Sequence, residues 1–257
     1  MRKLLMLTGA TAAAALIAAT PARAVVYGAP DGNAHPEVGG LLAQQAYSDG
    51  TWIECTGTLI SPTVFLTAAH CDEGVPRVRV SFASHYVEGK STAYSGTYHA
   101  DPSYNQTASD PQDLAVVVLD KAVKGITPAR LPKAGSLSNL SGSQQFTSVG
   151  FGAHAVTSGG KGGKQFAYDD SRYAGVGTLN TVTNTWLKIS GNPANDNAGT
   201  CYGDSGGPNF LGGGASETNI IAGTTITGDT PCRSTNVDYR LDTASARAFL
   251  GQFVTLP

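Results

Sequence analysis

Apolar residues arrive in short bursts along this chain, and that pattern constrains the fold more than any other feature. Runs rich in β-branched side chains cover Gly57 to Ile60, Val64 to Thr67, Val75 to Phe82, Leu114 to Leu119, Phe146 to Gly150, Trp186 to Ser190 and Asn219 to Thr227. Clusters of Gly, Pro, Asn, Asp and Ser separate them, and the lengths suit strands rather than helices. With 32 glycines, 13 prolines and only 14% charged residues, many short connections are possible and long helices are not. The spacing predicts an antiparallel sandwich or barrel. One helix is expected, at the end of the chain. Asp242 or Thr243 can cap it, and Ala244, Ala248, Phe249, Leu250 and Phe253 follow at helical spacing.

The first residues read Met-Arg-Lys, then an apolar run from Leu4 to Ala19, then Thr20-Pro21-Ala22-Arg23-Ala24. A basic start, an apolar middle and a small-residue end make residues 1–24 a secretory signal, leaving 25–257 as the exported domain. The Ala-rich run is too short and too weakly apolar to suit a membrane anchor, and no later stretch approaches a span. Loss of residues 1–24 removes Arg2, Lys3 and Arg23 and no acid, so the formal charge moves from −2 to −5. Such a surface gives no reason to expect nucleic acid or an anionic membrane as partner. Export also favours disulfides over metal ligation for Cys55, Cys71, Cys201 and Cys232, with three connectivities open. No pair has C-x-x-C spacing, which speaks against zinc.

Ser158 to Gly163, reading Ser-Gly-Gly-Lys-Gly-Gly, and Leu211 to Ser216 read as surface loops. The sequons Asn105-Gln106-Thr107 and Asn139-Leu140-Ser141 are of a kind too common by chance to carry an argument.

The segment Gly203-Asp204-Ser205-Gly206-Gly207-Pro208 stands apart. Gly, Asp, Ser and Pro are ordinary turn residues. A serine among glycines also presents an exposed Oγ beside bare backbone N–H groups, which is what attack on a carbonyl requires. Such a serine needs a base, and the base needs an orienting group. His70 has the best frame of the five histidines, at the end of the apolar strand Leu66-Thr67-Ala68-Ala69 and tethered by Cys71. His35, His85, His99 and His154 sit among polar or turn residues and read as structural. Asp113 directly precedes Leu114-Ala115-Val116-Val117-Val118-Leu119, so its carboxylate can be buried against an imidazole. Asp110, between Ser109 and Pro111, reads as a solvated turn.

Thr67-Ala68-Ala69-His70-Cys71, Asp113-Leu114-Ala115-Val116 and Gly203-Asp204-Ser205-Gly206-Gly207-Pro208, in the order His, Asp, Ser, make the chain resemble the trypsin/chymotrypsin family of serine endopeptidases. The intervals from 70 to 113 and from 113 to 205 are close to the family's. Asp101-Pro102-Ser103-Tyr104, Leu131-Pro132 and Gly150-Phe151-Gly152 are weaker matches, the last where the family usually has Gly-Trp-Gly. The resemblance implies an all-β fold of two six-stranded antiparallel β-barrels with a C-terminal α-helix and a cleft between the barrels. It implies a triad of His70 as base, Asp113 as orienting acid and Ser205 as nucleophile, with the N–H groups of Gly203 and Ser205 as oxyanion hole. It pairs Cys55 with Cys71 and Cys201 with Cys232. It also makes Asp204 the partner of a freed α-amino group, here that of Val25, which signal cleavage alone exposes. Val25-Val26-Tyr27-Gly28 departs from the family's Ile-Val-Gly-Gly start at Tyr27.

The pocket departs further. Gly199, with Thr200 after it, occupies the place where trypsin-like members carry Asp. Thr225-Ile226-Thr227-Gly228 replaces Ser-Trp-Gly, and Val237 stands where an open pocket has Gly. A neutral, narrowed pocket favours small or medium apolar side chains before the scissile bond, with Asp229 or Asp238 as sources of charge from the other wall. The resemblance therefore implies a secreted monomer acting on protein or peptide substrates, without metal or cofactor. A catalytically silent homologue serving as a binding module and a secreted esterase are the alternatives. The first usually lacks a triad member, and the second usually carries G-x-S-x-G with the histidine last.

Overall fold

The computed structural model describes residues 25–158 and 164–257. The signal reading of 1–24 and most of the Gly-rich segment 158–163 lie outside the described residues.

Two barrels share the chain. In the first, β2 (Val38–Leu42), β3 (Ile53–Ser61), β4 (Val64–Thr67), β5 (Arg77–Ser81), β6 (Ala93–Ala100) and β7 (Ala115–Leu119) close in the order β2-β3-β4-β7-β6-β5. All pairings are antiparallel, and β5 returns to β2 at Leu41↔Val80. In the second, β8 (Gln145–Gly150), β11 (Tyr173–Val182), β12 (Trp186–Ser190), β13 (Pro208–Leu211), β14 (Ile221–Gly228) and β15 (Thr235–Arg240) run β8-β11-β12-β15-β14-β13. Strand β13 closes the ring on β8 at Asn209↔Ser148. The short β1 (Ala29–Pro30) adds to β11, and β9 (Ala155–Ser158) pairs with β10 (Lys164–Ala167) as a separate hairpin.

Every predicted run falls on a strand, with ends shifted by a few residues. Strands β2, β6, β11 and β15 were not evident from apolar runs, because glycine or polar residues interrupt them. Gly96 in β6 shows why the interruption is tolerated: a Cβ there would stand 2.7 Å from the Val118 carbonyl oxygen, so only glycine lets β6 and β7 approach so closely.

Leu59, Phe65, Val80 and Val117 fill the first barrel, and Phe146, Leu187 and Ala222 the second, all fully buried. Each large side chain so removed from water contributes roughly 1.5–3 kcal/mol. A third cluster bridges the barrels, joining Val38, Leu66 and Val116 to Val149, Phe210 and Tyr239 and to the C-terminal helix. That helix, α1 (Ala244–Leu250), is capped by Thr243, whose hydroxyl accepts from Ala246 N–H. Its buried face is Ala246, Phe249 and Leu250, while Ala244 and Ala248 of the predicted stripe are exposed. Asp242 instead pairs with Arg240 and accepts from Leu137 N–H.

A buried ion cluster ties the N-terminal segment across this junction. Arg172 donates to Asp31 and to the carbonyls of Val38 and Phe82, while His35 links Asp31 to Glu217 and stacks on Phe210. Buried charges of this kind persist only when paired and fully hydrogen-bonded.

Candidate active site

The His70 side chain is carried by a single 3-10 turn, Ala69–Cys71, at the end of β4. Two covalent and polar ties fix that turn. Cys71 is bonded to Cys55 in β3, and the buried Tyr98 hydroxyl donates to the Ala68 carbonyl at 2.5 Å. Cys55, His70 and Cys71 bring ligand atoms within 4.8 Å of one another, but sulfurs joined to each other offer a metal no thiolate.

Asp113, just before β7, is 2% exposed and accepts from His70 twice: from the backbone N–H at 2.9 Å and from ring Nδ1 at 2.8 Å. A carboxylate only accepts, so Nδ1 carries the proton and Nε2 is left as an acceptor facing the cleft. Asp110 lies elsewhere. It is not a solvated turn residue: its carboxylate accepts from Tyr239 Oη and Ser245 Oγ, tying the loop to the start of α1.

Ser205 comes from the second barrel, on the turn before β13, and that turn is docked onto the first barrel through Thr56. The Thr56 N–H donates to the Ser205 carbonyl at 2.9 Å, and its hydroxyl donates to the Gly203 carbonyl at 2.9 Å. The same hydroxyl accepts from Phe151 N–H at 3.0 Å. Gly206 adopts φ +77°, and a Cβ there would stand 2.6 Å from Thr56 O and 2.7 Å from Ala68 N. Only glycine allows this loop to press so tightly on the His70-bearing segment. Among the described residues the N–H groups of Gly203 (φ +93°) and Ser205 have no acceptor.

Asp204, beside the serine, is buried and points away from the cleft, where it accepts from Gly152 N–H and Cys201 N–H, both at 2.8 Å. Burial pushes its carboxyl up to about 7 despite these two bonds. Among the described residues no cationic side chain pairs with it. Val25 is fully buried, and Val26 pairs with Gly199 and packs with Ala153 and Cys201. Those two residues adjoin or supply the donors to Asp204. Tyr27, at the family's glycine position, is 45% exposed and adopts φ +72°, a backbone conformation that explains the usual glycine.

His70 and Ser205 open onto one cavity of about 390 Å³. Thr200, Thr225, Ile226, Thr227 and Gly228 line it, as does the Cys201–Cys232 disulfide. Gly199 and Val237 do not. Gly199 sits behind the wall, packed on Gly191, and Val237 lies in β15 opposite Lys188 and Thr227. Asp229 lines the cavity, but its carboxylate is held by the N–H groups of Arg233, Ser234 and Thr235 of its own loop. Burial would raise this carboxyl, and the three bonds bring it below the usual range instead. Asp238 is 0% exposed and stands behind the cavity rather than on it.

Sequence reasoning passed over Thr56, Tyr98 and Asn209. Each is a polar residue within a strand, and nothing local distinguishes it from an outward-facing position.

Two closed six-stranded barrels meeting at a cleft that holds a histidine, a buried carboxylate and a glycine-flanked serine define the two-barrel class of serine proteases. The family model described as Trypsin matches residues 33–248, and the chain belongs to the trypsin family of serine endopeptidases. It is similar to Trypsin, alkaline C and Trypsin, alkaline A of Manduca sexta. Each is 29% identical over 222 residues, covering 79% of this chain and 82% of the relative. A shorter match, 34% identical over 85 residues, is to Glucanase inhibitor protein 2 of Phytophthora sojae, covering 31% of this chain and 28% of that protein. No helix among the described residues is long and apolar enough to cross a membrane.

Proposed function

We propose that the chain is a secreted endopeptidase that hydrolyses peptide bonds through an acyl-enzyme formed on Ser205. The observation that carries the reading is the His70 ring held by the buried Asp113 carboxylate while sharing one cavity with Ser205. In this reading His70 Nε2 takes the Ser205 proton as Oγ attacks the substrate carbonyl carbon. The N–H groups of Gly203 and Ser205 receive the oxyanion, each donor contributing roughly 3 kcal/mol. Collapse breaks the C–N bond, and His70 passes the proton to the leaving amine. Water, activated by the same imidazole, then releases the acid and restores Ser205. Asp113 keeps the ring in the required tautomer.

Signal cleavage after Ala24 frees the Val25 α-amino group, whose positive charge meets the buried Asp204 carboxylate and orders the oxyanion loop. Without a carboxylate at Gly199, and with Asp229 held by its own loop, the pocket selects small or medium apolar side chains before the scissile bond. Labelling of the secreted protein with a serine-directed phosphonate, set against Ser205→Ala, tests the reading. Labelling of wild type alone supports it, and equal absence makes the chain a silent homologue. Peptide against ester turnover separates a protease from an esterase. A chromogenic panel preferring Arg or Lys before the scissile bond would overturn the apolar assignment, and N-terminal sequencing of the active form checks the start at Val25.

A further inference from the structure

Behind the substrate cavity runs a buried polar network that the hydrolytic chemistry does not use. Its hub is Asn209 in β13, which is 0% exposed. The Asn209 Nδ2 donates to Asp238 Oδ1 at 2.7 Å and to Thr225 Oγ1 at 3.0 Å. Its Oδ1 accepts from Ser148 Oγ at 2.5 Å and from Asn236 Nδ2 at 3.1 Å. Both amide protons and both acceptor sites are therefore committed. Beyond Asn236 the chain ends on Thr200, whose hydroxyl donates to the Asn236 Oδ1. Thr200 and Thr225 stand on the cavity wall, and Asn209, Asn236 and Asp238 do not. Thr225 also reaches the serine loop, its carbonyl accepting from Gly206 N–H at 2.7 Å.

We propose that Asp238 is a specificity-positioning residue: acting through Asn209 as an uncharged hydrogen-bonding group, it holds Thr200 and Thr225 at the separation that sets which side chain the pocket accepts. The proposal rests on the endopeptidase reading. Asp238 faces no charge, since its cross-strand neighbours are Leu187 and Thr225 and its bonded partner is an amide. Its Oδ2 is buried with no partner, which an ionised carboxylate tolerates poorly and a neutral acid tolerates better. Burial pushes the carboxyl well above its ordinary range, consistent with a retained proton. A neutral group behind the wall cannot read a basic substrate side chain by charge. What it can do is hold the amide plane of Asn209, and with it both threonines, in one orientation.

The test uses the processed, secreted chain, peptide nitroanilides with Ala, Val, Leu, Phe or Arg before the scissile bond, and a phosphonate that lacks a side chain at that position. Asp238→Ala is expected to raise KM for the preferred substrate about fivefold or more and to spread preference toward larger side chains, within the range hydrophobic pockets discriminate. Its kcat and phosphonate labelling should change by less than about threefold, since the triad is untouched. Asp238→Asn, matching the neutral acid in shape, should restore KM to within about twofold. An unchanged order of preference in Asp238→Ala, whatever its melting temperature, overturns the proposal. So does loss confined to the Arg substrate in Asp238→Asn, which would mean the carboxylate acts by charge. If Asp238→Ala fails to accumulate, Asn236→Leu cuts the same network at its other arm. It must broaden preference in the same direction, and an unchanged preference again overturns the idea. Wild-type protein that neither takes the phosphonate nor cleaves peptide removes the enzymatic reading and this one with it, whereas labelled wild type with unshifted variants removes this one alone.

Discussion

Asp113 holds His70 at two points, gripping the backbone N–H through one oxygen and the ring Nδ1–H through the other. One carboxylate thus sets both where the ring stands and which of its nitrogens is free. Asp113→Asn keeps the shape and gives Nδ1 a donor to face, which favours the wrong tautomer. The expected result is a fall in kcat of about 10⁴, the size seen when the orienting acid of a serine triad is neutralised, with the melting temperature little changed. Steady-state kinetics beside a thermal melt would check it.

Thr56 is the polar joint between the barrels, with its hydroxyl on Gly203 and Phe151 and its N–H on Ser205. Thr56→Val keeps the volume and leaves Phe151 N–H and the Gly203 carbonyl without that partner. Destabilisation of about 1–3 kcal/mol is expected, the cost of unsatisfied buried groups. Because Gly203 belongs to the serine loop, kcat/KM should fall more than tenfold, by about 1.4 kcal/mol or more of lost transition-state binding. Denaturant titration and peptide turnover report the two effects separately.

Asp204 links processing to pH. In a chain that still carries residues before Val25, burial holds its carboxyl up at about 7, against an ordinary 3.8. The folded state then keeps a proton that the unfolded state has lost, so stability falls as pH rises from about 4 to about 7. The unprocessed chain should therefore melt lower at pH 6.5 than at pH 5, and Asp204→Asn should reduce that fall. A processed chain, with an ammonium group on Asp204, should lack this part of the fall and keep only the one that His35 contributes above about pH 6.5. Scanning calorimetry of the three proteins tests this.

His35 carries a dependence of the same sign, displaced to higher pH. Burial alone would lower its imidazole, but hydrogen bonds and charge from Asp31 and Glu217 hold it up at about 9, from 6.5. A group with a raised folded value contributes its full stability below about 6.5 and loses it as pH rises through about 9, on the order of 3 kcal/mol. His35→Gln should be less stable than wild type at pH 6 and nearly equal to it at pH 10. Thermal melts across that range, on protein blocked with phosphonate, would show the convergence.

The three motif segments were legible because each has chemistry in its own few residues. A histidine at a strand end beside a cysteine, an acid leading an apolar run and a serine among glycines are local facts. The strands that lack continuous apolar runs, such as β6 and β11, were not legible, since their burial depends on glycine meeting a backbone from another strand. The pocket was legible only in part. Thr200 and the segment Thr225 to Gly228 line it, but Asp238, read as a source of charge from the far wall, stands behind that wall in a polar network.

What the sequence determined by itself was the chemistry on offer: strand-length apolar runs that must close on one another, four cysteines suited to export, and His70, Asp113 and Ser205 in family order. The tertiary structure decided which groups meet. Thr56 joins Ser205 to the first barrel, Asn209 joins Asp238 to Thr225, and Asp110 is drawn to the terminal helix instead of to His70. The physical reason is range. Apolar patterning and turn chemistry act over a few residues, whereas a buried polar atom must find its partner wherever closure of the barrels brings one within hydrogen-bond distance.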